Sequence, residues 1–119
     1  MSLQGDPGCV FCRVVAGEIP SREAYSSSLT YAFYDLHPVA PVHVLVVSRE
    51  HIAGPAQLSV RHSPVLFEMY EAANAVAQRE GVAQGGYRLA VNVGRDAGAD
   101  VAHLHIHVLG GRKLGWPPG

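Results

Sequence analysis

Three histidines stand two residues apart in this chain, His103, His105 and His107, interleaved with Leu104, Ile106 and Val108. On a β-strand, residues i, i+2 and i+4 share one face. The three imidazoles therefore line one surface, and the aliphatic side chains between them turn to the opposite, core-facing one. A strand that is only structural gains nothing from three adjacent imidazoles competing for protons. Two chemistries suit them. Three imidazole nitrogens can hold a catalytic metal, as they do for zinc. Alternatively, one neutral imidazole, with an unperturbed pKa of about 6.5, can attack phosphorus while a second meets the phosphoryl oxygens and a third fixes orientation. Spacing alone leaves both open. The only two cysteines, Cys9 and Cys12, form a second group. A bridge across Cys-x-x-Cys closes too small a loop to staple a fold, which points to metal binding or redox chemistry.

The elements that must hold these groups follow from periodicity and punctuation. Residues 102–109 read as the last strand, 87–93 as the strand before it, and 29–35 and 42–47 as two earlier ones. Residues 9–15 read as a short apolar turn or helix stopped by Gly17, and Ile19-Pro20 then leads into extended chain. One long helix is predicted with Ser63 as its cap and Pro64 at its first position. Leu66, Met69, Ala73 and Val76 form its apolar stripe, and Gly81 stops it. Residues 94–100 form a loop, and the tail from Gly110 is irregular. Four or five strands and one long helix in this order predict an antiparallel sheet with helices packed on it, an α+β fold.

Bulk properties narrow the function. A chain of 119 residues fits one domain. A net charge of −1 gives no basic field to hold nucleic acid, so any phosphate must be met by local donors. No apolar run reaches the roughly 18–20 residues of a membrane span. Residues 1–8 are polar and lack the pattern of a signal peptide. They read as a flexible segment, part of it foreign to the natural chain, ahead of a domain over 9–119. The protein reads as cytoplasmic.

The run His103-Leu-His-Ile-His107-Val-Leu109 resembles the His-φ-His-φ-His-φ-φ signature of the histidine triad (HIT) family. The likeness extends to Cys9-Val-Phe-Cys12, Ala16-Gly-Glu-Ile-Pro20, Ala32-Phe-Tyr-Asp35, the stretch from Pro41 to Ile52 and Gly86 to Asn92. The ending Gly110-Gly-Arg112 … Trp116-Pro-Pro-Gly119 is similar to the Hint branch in particular. The resemblance implies a HIT-like homodimer, each subunit a five-stranded antiparallel sheet with two helices. It implies hydrolysis of purine nucleoside phosphoramidates, conjugates of AMP or GMP with an amine, through a nucleotidyl-histidine. By position, His105 matches the nucleophile, His107 the residue contacting the phosphate, and His43 the histidine supporting the triad. Asp35 matches the carboxylate that holds the ribose hydroxyls. Phe11, Ile19 and Leu36 match the base pocket, and Asn92 a nucleotide contact. Gly98 leaves a backbone N–H free to approach a phosphate. The alternative is a nucleotide-binding regulatory dimer with weak or altered catalysis.

The family also supplies a ligand set. Cys9, Cys12, His51 and His103 match a zinc site of bacterial relatives, and two thiolates with two imidazoles make the closed shell of a structural zinc rather than a catalytic one. One departure stands out. Hint proteins commonly carry Gly-Gln-Ser before the triad, and this chain has Gly98-Ala99-Asp100. A carboxylate replaces a hydroxyl beside the scissile bond, where it repels phosphate unless it is protonated or points away.

Overall fold

The strand Val42–Ser48 (β3) is buried on both faces along almost its whole length, which makes it the centre of the molecule. The computed structural model describes residues 5–119; of the segment 1–8, residues 1–4 lie outside the described residues. β3 pairs antiparallel with Thr30–Tyr34 (β2) on one side and His105–Gly110 (β5) on the other. Glu23–Ser26 (β1) lies beyond β2 and Tyr87–Ala90 (β4) beyond β5, giving a five-stranded antiparallel sheet in the order β1-β2-β3-β5-β4.

Alternation splits the core into two layers. Val44 and Val46 of β3, with Leu104, Ile106 and Val108, lie under the long helix Ser63–Arg79 (α2). That helix presents Val65, Met69, Ala72, Ala73, Val76 and Ala77, a stripe at helical spacing. Leu45 and Val47, with Phe33, face the other way and are covered by the short helix Val10–Val15 (α1) through Phe11 and Val14. Both helices stop at a left-handed glycine. At Gly81, φ is +77°, the Gly81 N–H donates to the Gln78 carbonyl and the Val82 N–H to that of Ala77. Gly17 repeats the arrangement after α1, with Glu18 N–H donating to Arg13 O at 2.9 Å.

Three expectations shift. The last strand begins at His105, because the chain bends at Val101–His103 and Leu104 N–H donates to Ile52 O beyond the end of β3. β4 ends at Ala90, where its ladder with β5 stops. Ser63 does not cap α2: a 3₁₀ turn, Val60–His62, runs straight into the helix, and Ser59 and His62 supply its capping box. The Ser63 hydroxyl instead donates to Val60 O. The extended chain expected after Ile19-Pro20 pairs as β1 and completes the expected five strands.

Candidate active site

Register brings the histidines together. In the ladder between β3 and β5, His105 lies opposite Val47 and His107 opposite Leu45, so both point to the face covered by α1. His43, two residues before Leu45, shares that face, and the Asp35 N–H donates to His43 O just past the end of β2. The ring centroids of His105 and His107 are 5.1 Å apart, and those of His43 and His107 5.2 Å.

Hydrogen-bond partners assign the tautomers. His105 Nδ1 lies 2.6 Å from the His103 carbonyl, which can only accept. The proton of a neutral His105 is therefore on Nδ1, and Nε2 is a bare lone pair. His43 Nδ1 accepts from the Val39 N–H at 3.2 Å, so its proton is on Nε2. That proton faces His107 Nδ1 at 3.0 Å and Asp35 Oδ2 at 3.4 Å. His107 thus accepts at Nδ1 and carries its own proton on Nε2. Burial lowers the pKa of His43, opposed by the Asp35 carboxylate. Burial, reinforced by the neighbouring imidazoles of His105 and His43 and opposed by Asp35 and Asp100, lowers that of His107. Both rings are held neutral. A lone pair and an N–H donor stand side by side.

They open onto a cleft of about 500 Å³ whose walls include Phe11, Ile19, Asp35, Leu36, His43, Asn92, Gly98, His105 and His107. All nine residues expected to bind the nucleotide or to carry the chemistry line this one cavity. Leu36 stands at its rim, 87% exposed, and Phe11 packs edge-on to His105 with centroids 5.1 Å apart. Asp100, the unusual loop residue, lines it too.

The HIT domain family model matches residues 16–114. The chain belongs to the HIT family. This HIT domain is similar to the purine nucleoside phosphoramidase of Escherichia coli strain K12, with 40% identity over 106 residues that cover 89% of each chain. It is 36% identical over 116 residues to a 14 kDa zinc-binding protein of Zea mays, covering 96% of this chain and 90% of that one. Among solved structures, a HIT family hydrolase from Clostridium thermocellum superposes with a TM-score of 0.90 at 42% identity, covering 92% of this chain and 96% of the other.

The first histidine of the HIT triad is engaged by a separate set of donors. His103 Nδ1 lies 3.2 Å from Cys9 Sγ and 3.6 Å from Cys12 Sγ, and His51 Nδ1 lies 3.2 Å from Cys12 Sγ. One donor atom from each of these four residues lies within 4.8 Å of the others. The donor chemistry fits a tetrahedral zinc. Both sulfurs are free thiols and buried, and His103 Nε2 donates to the Ser48 carbonyl at 2.7 Å, which leaves Nδ1 as a lone pair aimed at them. Burial raises the Cys12 thiol and lowers His103. The three triad imidazoles therefore do not converge on one ion, and the catalytic-metal arrangement considered from spacing is not the one formed.

Sequence reasoning missed Ser48, the Val39 amide and the His103 carbonyl. All three act through the backbone and leave no signal in residue type.

Proposed function

We propose that the chain hydrolyses purine nucleoside phosphoramidates, AMP or GMP joined to an amine, through a nucleotidyl-His105 intermediate. The observation that carries this reading is the pair of opposed tautomers, a bare Nε2 on His105 beside an Nε2–H on His107, at the floor of a nucleotide-sized cleft. In this reading His105 Nε2 attacks the α-phosphorus, and His107 Nε2–H meets a phosphoryl oxygen as charge builds there. The nitrogen, protonated from solvent, leaves as the neutral amine with the electron pair of the P–N bond. Water then attacks phosphorus, displaces His105 Nε2 and releases a proton, which balances the one taken up.

His43 holds the His107 tautomer. Asp35 accepts from the ribose hydroxyls, Phe11, Ile19 and Leu36 flank the base, and Asn92 and Gly98 approach the phosphate. Cys9, Cys12, His51 and His103 would hold a structural zinc that pins α1 to the start of β5. Similarity to a zinc-binding protein and the donor set support that assignment. We also read the domain as residues 9–119, the protein as a homodimer, and its compartment as the cytoplasm. Two free cysteines suit a reducing environment. No helix among the described residues is long and apolar enough to cross a membrane. Net charge near zero argues against nucleic acid as a partner.

Asp100 on the cleft wall favours a second reading, a nucleotide-binding regulatory dimer with weak or altered catalysis. Hydrolysis of an AMP–amine conjugate separates the two. Wild type should turn over, His105→Ala should lose at least about a thousandfold, and alkaline denaturing quench of wild type, which preserves a histidine P–N bond, should trap AMP on His105. Tight AMP binding without turnover would replace the first reading with the second.

A further inference from the structure

The loop that carries Asp100 has a second hollow on its other side. A cleft of about 360 Å³ runs between residues 53–57 and residues 92–94, and it shares Asn92, Asp100, Val101 and His105 with the nucleotide cleft. The two hollows meet at the nucleophile. The larger one holds the groups suited to base, ribose and phosphate. Beyond the shared Asn92 and His105 the smaller adds none of these, and its lining is mostly small and apolar, with Ala53, Ala56, Ala99 and Ala102.

Its charge is one-sided. Asp100 is the only carboxylate among the described residues that line it, and no lysine or arginine does. The remaining polar side chains are Gln57, Asn92 and the two histidines. Both nitrogens of His103 are already committed, to the cysteine sulfurs and to Ser48. The nearby guanidinium of Arg95 is paired with Asp96, at 3.2 Å.

Asp100 poses a problem that a substrate could solve. An ionised carboxylate on the wall of a phosphate site repels the phosphate, and nothing basic on the loop offsets it. A positive charge on the far side of the scissile bond would do so. Building on the phosphoramidase reading, we propose that this second hollow receives the leaving group and that Asp100 selects leaving groups carrying a cation, such as a diamine joined to phosphorus through one nitrogen and bearing an ammonium at its other end. Asp100 accepts a hydrogen bond from that ammonium and takes no proton from it. The bond broken remains P–N, and the cation stays on the departing amine.

Four probes test this: unsubstituted AMP phosphoramidate, and the AMP phosphoramidates of a diamine, of the matching amino alcohol and of the matching amino acid linked through its amine. The last three differ only in terminal charge. At low ionic strength, kcat/KM for wild type should fall in the order diamine, amino alcohol, amino acid, by about two- to fivefold per step, the range of a solvent-exposed ion pair. Added salt should compress that order. Asp100→Asn and Asp100→Ser should each flatten it. Ala102→Phe, which fills the hollow, should slow the three long conjugates relative to unsubstituted AMP phosphoramidate. Equal rates for the three in wild type, or an order that survives Asp100→Asn, would overturn the proposal while leaving the phosphoramidase reading intact. If wild type cleaves none of the four, both fall together.

Discussion

Two imidazoles on one strand hold their protons on opposite nitrogens because different partners claim them: a backbone carbonyl for His105 and a neighbouring ring for His107. The division of labour depends on both rings being neutral, and it sets a pH dependence whose sign can be worked out. His43 and His107 have pKa values lowered by folding from an ordinary 6.5. Below about 6.5 the unfolded chain therefore binds more protons than the native one at these positions, and stability declines as pH falls from there. Above that value their contribution is fully present. The midpoint of urea unfolding should be level between about pH 7 and 8 and drop as pH falls below about 6.5. His43→Asn removes one of these titrating groups and lies outside the four candidate zinc ligands, so its curve should fall less steeply. Parallel curves for wild type and variant would refute this account. At this scale the sequence was informative where function rests on side chains. Alternation placed His105 and His107 on one face, and the resemblance brought Asp35 and His43 to them. It was silent on the Val39 amide and the His103 carbonyl, because any residue at those positions offers the same backbone groups.

α1 is an element that cannot stand by itself. Six residues make less than two turns, well short of the length at which an isolated helix forms in water. It is held by Phe11 and Val14 against the sheet, by a glycine stop, and by Cys9 Sγ, which caps it by accepting from the Cys12 N–H at 3.4 Å. The same sulfur faces His103, so a metal at the four-residue group would tie this helix to the strand that carries the nucleophile. Metal analysis should find about one zinc per chain on the reading above. Chelation, or Cys12→Ala, should lower Tm, raise hydrogen exchange chiefly across residues 9–17, and weaken AMP binding through the loosened Phe11. No zinc in the purified protein together with an unchanged Tm under chelator would remove the assignment. Elements with strong periodicity, α2 and β3, were legible because burial on the sheet enforces the pattern. β1 was not. Its four residues, Glu23–Ser26, alternate weakly and pair with β2 through an irregular register, so pairing rather than local preference makes them a strand. The start of β5 was misplaced for a related reason: His103 keeps the triad's alternation while a bend takes its backbone out of the ladder.

At the scale of the molecule, the sheet order leaves β1 and β4 as open edges, with backbone groups available to another strand. The β4 edge adjoins an apolar surface. On α2, Phe67, Tyr70 and Asn74 recur at i, i+3 and i+7 on the side away from the core, with Phe67 66% and Tyr70 44% exposed. The Tyr87 hydroxyl of β4 donates to Asn74 Oδ1 at 2.8 Å, which joins helix face and strand edge into one surface. The tail lies along the same strand: Arg88 of β4 donates to the Gly115 carbonyl, and its guanidinium stands 6.0 Å from the Trp116 ring centre, with Trp116 itself 81% exposed. Large side chains left open on one continuous patch beside an unpaired edge are features that suit an interface. On the homodimer reading proposed above, a second copy of the chain would satisfy the edge by pairing β4 with β4, an isologous contact about a two-fold axis. Sedimentation equilibrium should then give twice the 12.7 kDa of one chain. Replacing Phe67 and Tyr70 together by Glu should return the mass to that of one chain. The core under α2 is lined by Met69 and Val76 on the opposite side, so the variant should keep the far-UV CD spectrum of the wild type. A wild type that sediments as a single chain would rule the dimer out. A double variant that stays dimeric would place the contact on another face, with β1 the remaining open edge.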